Sequence, residues 1–331
     1  MKSYDFIAIG DITTDAFIRL KDASVHCDID KDNCEICMRF GDKIPYEFVE
    51  IVRAVGNASN ASVAAARLGL NSALVAQIGN DDNGRECLEV LKNEKVGTDY
   101  VKVHEGKKTN YHYVLWYEDD RTILVKHESF DYKLPQFSAP KWIYLSSLGP
   151  SADGFHDEIA MYLKANPEVK LAFQPGTYQI KLGIEKLKEI YELSEVFFCN
   201  IEEAKIILGI PNHTDPKILL QKMRELGPKI IVLTDGTKGA YVYNGEKILF
   251  MPPYPDSKQP YDRTGAGDGF ASTFVSALAL GLSIEEALCW APINSMSVVQ
   301  EIGAQRGLLT KEQIEKYLSQ APESYKLKII E

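Results

Sequence analysis

Short, mostly apolar runs recur along the chain at residues 5–10, 73–78, 142–145, 170–173, 196–199 and 230–234, each followed by a longer amphipathic stretch. A run of that length with no polar alternation suits a strand buried on both faces, which is the environment of a parallel sheet. The intervening stretches 84–94, 179–193, 201–208 and 215–226 place apolar residues at three-and-four spacing, with Gly209 and Gly227 as stops. Strand and helix in alternation predict an α/β fold, a parallel sheet with helices on both faces. Two regions break the rhythm. Residues 15–55 and 109–126 read as β-structure, with Tyr111, Tyr113 and Leu115 on one face and a Glu118-Asp119-Asp120-Arg121 turn. We expect them to form a small accessory sheet inserted in one domain spanning residues 1–331.

Composition removes several function classes. The 331 residues are 45% hydrophobic and 25% charged, the balance of an ordinary globular protein. A net charge of -10 repels nucleic acid and anionic membranes, so neither is expected as a partner. No apolar run approaches the roughly 20 residues of a membrane span, and Met1-Lys2-Ser3-Tyr4-Asp5 runs directly into the first strand, so a cytoplasmic protein is expected. Of six cysteines, Cys87, Cys199 and Cys289 fall in segments that read as core. His26, Cys27, Cys34 and Cys37 could in principle ligate zinc, but they lack two matched pairs and Asp28, Asp30 and Asp32 intervene, so a solvated loop is the expectation.

Chemistry concentrates near the C-terminus. Asp262-Arg263-Thr264-Gly265-Ala266-Gly267-Asp268 precedes a helical stretch whose Phe270, Phe274, Ala277 and Leu278 share a face. Glycines let a ligand approach the backbone, and free amides at a helix N-terminus attract anions, so Gly265, Ala266, Gly267 and Asp268 can cradle a phosphate. The same amides would keep the Asp268 carboxylate ionised and able to take a proton. Asp268 as a plain helix cap is the alternative.

The segment resembles the C-terminal signature of the ribokinase-like (PfkB) carbohydrate kinases, Asp-x-x-Gly-Ala-Gly-Asp before a helix, and matches it in full. The resemblance implies a three-layer sandwich with a mostly parallel sheet and a small β-sheet lid. It also implies ATP-dependent phosphoryl transfer to an alcohol, with Asp268 as base and Gly265, Ala266 and Gly267 as the anion hole. Asp262 would lie near the nucleotide or a loop for a monovalent cation, with potassium the candidate ion. A second signature, normally Gly-Gly-x-x-x-Asn, reads Val55-Gly56-Asn57-Ala58-Ser59-Asn60 here, so Gly56 and Asn60 match and the first Gly does not. Gly10-Asp11-Ile12-Thr13-Thr14-Asp15 resembles the first strand-end loop, which makes Asp15, and secondarily Asp11, candidates for binding substrate hydroxyls beside Gly56, Asn57 and Asn60.

Asn200-Ile201-Glu202-Glu203 resembles the family's Asn-x-x-Glu element, in which Glu203 would organise magnesium water and Asn200 would face the nucleotide; a helix cap is the plain alternative. Thr234-Asp235-Gly236-Thr237-Lys238-Gly239 resembles the nucleotide loop, giving Thr234, Gly236 and Gly239 to ATP, against an ordinary hairpin turn. Asn294 and Gly303-Ala304-Gln305 lie where the family closes its adenine and cation sites.

The acceptor stays open between a sugar and a nucleoside. Arg39, Lys43, Lys107, Lys108 and Arg121 could clamp a phosphosugar, and Tyr111, Tyr113 or Trp116 could give a nucleoside an aromatic shelf. An unphosphorylated sugar ranks first and a nucleoside second. A catalytically silent sugar-binding regulator would lack the base, and a dehydrogenase would need Gly-x-Gly-x-x-Gly after the first strand, where only Gly10 occurs. Exposed apolar residues on the lid lead us to expect a homodimer through it.

Overall fold

The computed structural model describes residues 2–27, 34–118, 120–211, 214–256 and 258–330. Asp28, Asp30, Asp32 and Asp119 lie outside the described residues.

The apolar runs assemble into a ten-stranded sheet. From one edge, Val101–His104, Ser72–Gly79, Phe6–Ile9, Trp142–Leu145, Lys170–Phe173, Ser194–Asn200 and Ile230–Thr234 are parallel. Ala240–Tyr243, Ile248–Met251 and Lys328–Ile329 then add antiparallel strands at the far edge. Side chains alternate between faces, so Phe6 and Ala8 join one apolar core and Ile7 and Ile9 the other. Helices Asn57–Arg67, Ala266–Ala279 and Ile284–Val298 cover the first face. Phe155–Ala165, Ile201–Leu208 and Pro216–Glu225 cover the second. Each large side chain buried in these layers contributes about 1.5–3 kcal/mol, and strands and helices both supply them.

The stretch 179–193 is two helices, Thr177–Leu182 and Lys188–Leu193, because Gly183 turns the backbone to φ 90° and ends the first. Gly209, at φ 63°, ends Ile201–Leu208 in the left-handed region as its position implied.

The lid is a four-stranded sheet in the order Tyr46–Val55, Thr13–Leu20, Asn110–Tyr117, Asp120–Leu124. Its central pair is parallel and its outer pairs antiparallel. A separate hairpin, Ser24–Cys27 with Cys34–Cys37, projects from it. The cysteine cluster expected in a solvated loop therefore sits on paired strands, where cross-strand neighbours Cys27 and Cys34 form a disulfide and Cys37 stays free. Among the described residues no group of histidine, cysteine or carboxylate side chains could hold a metal ion, and no helix is long and apolar enough to cross a membrane.

Candidate active site

The parallel strands end along one edge of the sheet, and the residues just past those ends converge beneath the lid, where open α/β sheets place their ligands. Two cavities of about 430 and 410 Å³ meet there. The first lies between sheet and lid and is lined by Asp11, Asp15, Gly56, Asn57, Asn60 and Asp268, together with Asn110, His112, Arg121 and His127. The second is bounded by Thr234, Gly236, Gly239, Pro253, Tyr254, Phe270, Met296 and Val299. Arg263 and Gly267 belong to the walls of both.

At that junction helix Ala266–Ala279 begins. Gly265 caps it at φ 80°, a conformation that favours glycine, and a Cβ there would lie 2.2 Å from the Ala304 Cβ. A Cβ on Gly267 would find nothing nearer than Gln174 Nε2 at 3.9 Å, so this stretch of backbone faces open space. First-turn amides have no helical acceptor and are available to an anion.

Asp268 follows directly and is 9% exposed. Its Oδ2 accepts from Asn60 Nδ2 at 2.8 Å and its Oδ1 from Gln174 Nε2 at 3.3 Å. Burial pushes its carboxyl up to about 6, with the two side-chain hydrogen bonds opposing the rise. The expectation that helix amides hold Asp268 firmly ionised is thereby corrected: desolvation outweighs the stabilising contacts, and those come from side chains. A carboxylate with such a value is suited to take a proton near neutral pH.

Behind it runs a hydrogen-bonded chain. Gln305 Nε2 donates to Asn60 Oδ1 at 3.0 Å and to the Ala54 carbonyl at 2.7 Å, while Tyr144 donates its hydroxyl to Gln174 Oε1. Asn60, expected to bracket substrate hydroxyls, thus spends its amide on Asp268 and Gln305. Gln305 belongs to this support and lines neither cavity, whereas Gly303 and Ala304 line the acceptor-side cavity.

Asp15 and Asp11 both reach that cavity. Asp11 is anchored, accepting from the Tyr132 hydroxyl at 2.5 Å and the Gly149 amide at 2.7 Å. Gly56, at φ 113°, brings the backbone so near that a Cβ would lie 2.5 Å from the Asp11 carbonyl oxygen, which explains a glycine where the matching motif keeps one.

Thr234, Gly236 and Gly239 line the second cavity while also turning the hairpin between antiparallel strands Ile230–Thr234 and Ala240–Tyr243. Asn294, expected at the adenine site, lines neither cavity. It is fully buried, its amide donating to Thr273 Oγ1 at 2.7 Å and accepting from the Leu309 backbone at 2.9 Å; the cavity is faced by its neighbours Ser295 and Met296. Asn200 and Glu203 lie outside both cavity walls and form a reciprocal cap, Glu203 N to Asn200 Oδ1 at 2.8 Å and Asn200 N to Glu203 Oε2 at 2.9 Å. Burial holds the Glu203 carboxyl above its usual range, and its charge is close enough to raise that of Asp268. Asp262 accepts an amide at each oxygen, from Thr264 N and Gly303 N, both at 2.9 Å, and so clasps two loops.

Gln174, His112 and His127 escaped the sequence reading. Gln174 had a signal, its place immediately after a strand end; the two histidines had none beyond lying in the lid.

A helix N-terminus shared by two cavities, with a buried carboxylate at the junction, is an arrangement suited to phosphoryl transfer. Residues 49–311 match the family model of the pfkB family carbohydrate kinases, and the chain belongs to that family. It is similar to the ribokinase of Bacillus subtilis (strain 168), 28% identical over 272 residues, covering 80% of this chain and 87% of that protein. The fold is that of the Methanocaldococcus jannaschii nucleoside kinase, with TM-score 0.78, 21% identity, and 96% and 100% of the two chains covered. It is equally that of Arabidopsis thaliana ribokinase complexed with ribose and ATP, with TM-score 0.78, 20% identity, and 96% and 99% covered. PfkB family carbohydrate kinases are ATP-dependent phosphotransferases acting on sugars or nucleosides, and at that level the activity class is set.

Proposed function

We propose that this protein transfers the γ-phosphoryl group of ATP to a hydroxyl of a sugar bound under the lid, with Asp268 as general base. The observation that carries the reading is the position of Gly267 and Asp268 where the two cavities meet. ATP occupies the cavity of Thr234, Gly236, Gly239 and Phe270, the sugar the cavity of Asp11, Asp15 and Asn57. Asp268 takes the hydroxyl proton as the oxygen–phosphorus bond forms and the bond to the departing ADP breaks; the amides of Gly265, Ala266 and Gly267 receive the charge on the moving group. ADP, the sugar phosphate and a proton balance the step. Magnesium, when bound with ATP, neutralises phosphate charge. Glu203 has one oxygen committed to its cap, and its other fits a hydrogen bond from metal-bound water.

A sugar ranks above a nucleoside because Tyr111, Tyr113 and Trp116, the residues expected to give a nucleoside its shelf, are not on the walls of the acceptor cavity, whose rings are Phe17, Tyr178 and the two histidines. Tyr111 and Tyr113 face a separate cleft, and Trp116 is 3% exposed, packed against Tyr261 and beneath the Arg19 guanidinium. The silent-regulator reading loses ground because the Asp268 carboxylate and the first-turn amides lie together at the cavity junction, where a base and an anion hole would be needed. We also infer a homodimer through the outer lid face.

The test is incubation of the purified protein with γ-labelled ATP, magnesium and a panel of pentoses, hexoses and nucleosides. Label should move to a sugar; transfer to a nucleoside alone would overturn the ranking, and no transfer would overturn the kinase reading.

A further inference from the structure

The loop that leads into helix Ala266–Ala279 carries an arginine to which its signature assigns no role. Arg263 fills one of the two unspecified positions of Asp-x-x-Gly-Ala-Gly-Asp. Of the two arginines on the cavity walls, Arg121 and Arg263, only Arg263 belongs to both. Its backbone is held on either side, by the two amides that Asp262 accepts and by Tyr261 N, which donates to the Val299 carbonyl at 2.7 Å. Its side chain is exposed, and the guanidinium makes no ion pair or hydrogen bond with a described residue. Asp256, on the wall of the second cavity, feels its charge: burial raises the Asp256 carboxyl and Arg263 lowers it. Thr264, the next residue, lines the acceptor-side cavity and keeps a buried hydroxyl with no hydrogen bond to a described residue. Two unspent donors on one fixed loop, where two cavities meet, point to an anion passing between them.

We propose that Arg263 is a further catalytic residue, whose guanidinium binds the phosphoryl group as it passes from one cavity to the other. This rests on the reading of the two cavities as the ATP and acceptor sites. Charge is the reason. The acceptor-side wall carries Asp11, Asp15 and Asp268, and a phosphoryl group must come up against the last of these. Amides at a helix N-terminus supply about half a positive charge. The carboxylate and the phosphoryl oxygens still repel one another, and a full cation at the junction offsets that repulsion. Arginine suits the task because its planar fork spans two oxygens of a phosphoryl group and stays protonated. In the step the bond from acceptor oxygen to phosphorus forms, the bond from phosphorus to the ADP oxygen breaks, and Asp268 takes the hydroxyl proton. Arg263 exchanges neither proton nor electrons. An acceptor carrying its own phosphate would present the same chemistry to Arg263, so the measurements must separate the two sources.

Steady-state rates with γ-labelled ATP are measured for wild type, Arg263→Gln, Arg263→Lys and Arg263→Ala, with the best acceptor among pentoses, hexoses, nucleosides and sugar phosphates. Arg263→Gln should lose kcat about 10²-fold while KM for ATP and for the acceptor stays within about threefold, and Arg263→Lys should keep part of the rate. Guanidinium ion added to Arg263→Ala should restore rate saturably, which the loss of a merely structural contact would not allow. Calorimetry gives a second reading without turnover. Wild type should bind ADP with magnesium and aluminium fluoride, a mimic of the group in transit, at least about tenfold more tightly than ADP with magnesium alone. Arg263→Gln should lose that margin while its ADP affinity holds. An unchanged kcat in Arg263→Gln, or an aluminium fluoride margin that survives it, overturns the proposal. A loss confined to ADP affinity makes Arg263 a plain nucleotide contact, and a loss confined to the KM of a phosphorylated acceptor makes it that acceptor's clamp; either result overturns the proposal too. Wild type that transfers no label to any acceptor sinks the kinase reading and this inference with it, whereas transfer indifferent to Arg263 sinks this inference alone.

Discussion

The side-chain amide of Asn60 donates to Asp268 Oδ2 at 2.8 Å across 208 positions of sequence. It joins the start of one helix, Asn57–Arg67, to the first turn of another, Ala266–Ala279. The contact favours the ionised carboxylate in a place where burial disfavours it. Asn60→Leu should therefore raise the Asp268 pKa further. A hydrogen bond to a charged group is worth about 1.5–3 kcal/mol, or roughly one to two pH units. Turnover at neutral pH should fall about two- to tenfold and recover at higher pH. An acid limb that stays in place, measured from kcat against pH, would return Asn60 to the substrate.

For the wild type, the base must be deprotonated to act, and its value is pushed up to about 6. Activity should be full above that value and fall about tenfold per pH unit below it. Asp268→Asn should remove this limb and lower turnover by roughly 10²-fold to 10⁴-fold while ATP binding, measured by calorimetry, persists. Asparagine and aspartate cap helices about equally well, so near-normal turnover would reduce Asp268 to a cap.

Glu203→Gln separates metal handling from helix capping. Glutamine at this position completes the same reciprocal cap, so the melting temperature should hold. The magnesium concentration for half-maximal rate should rise about tenfold, as for other outer partners of a metal. An unchanged magnesium dependence leaves Glu203 a cap alone.

Asn294→Ala should act on stability and spare the nucleotide. It strands the buried Leu309 amide and breaks the bond to Thr273, costing about 2 kcal/mol in denaturant unfolding. The KM for ATP should stay within about twofold, since the residue touches no cavity wall. A raised KM with intact stability would restore it to the adenine site.

The outer lid face carries a row in register, Ile51, Ala16, Tyr113 and Leu124, in which Ile51, Tyr113 and Leu124 are 42%, 48% and 51% exposed. An apolar row of this kind on an open sheet invites a second copy. Sedimentation at micromolar concentration should find a dimer, and Tyr113→Glu with Ile51→Glu should give a monomer. A wild-type monomer would refute the lid dimer.

The parallel strands and the two main motifs were legible because burial on both faces writes itself as unbroken apolar runs such as Trp142–Leu145, and because a backbone passing close to another chain segment or a ligand demands glycine, as at Gly56 and Gly265. The break at Gly183 was less so, since apolar spacing continues on either side of it. Side-chain partners were not legible at all. Asn60 and Asn294 are both asparagines inside helices, and nothing local says that one supports the base while the other ties Thr273 to Leu309.

The chain by itself determined a parallel α/β sandwich and a glycine-bracketed helix start, since both follow from local burial and local backbone conformation. Only the tertiary structure decided which carboxylate is desolvated, which amides are spent, and that two histidines face two aspartates beneath the lid. Those depend on residues far apart in sequence meeting in a cavity whose shape and dielectric no single segment encodes.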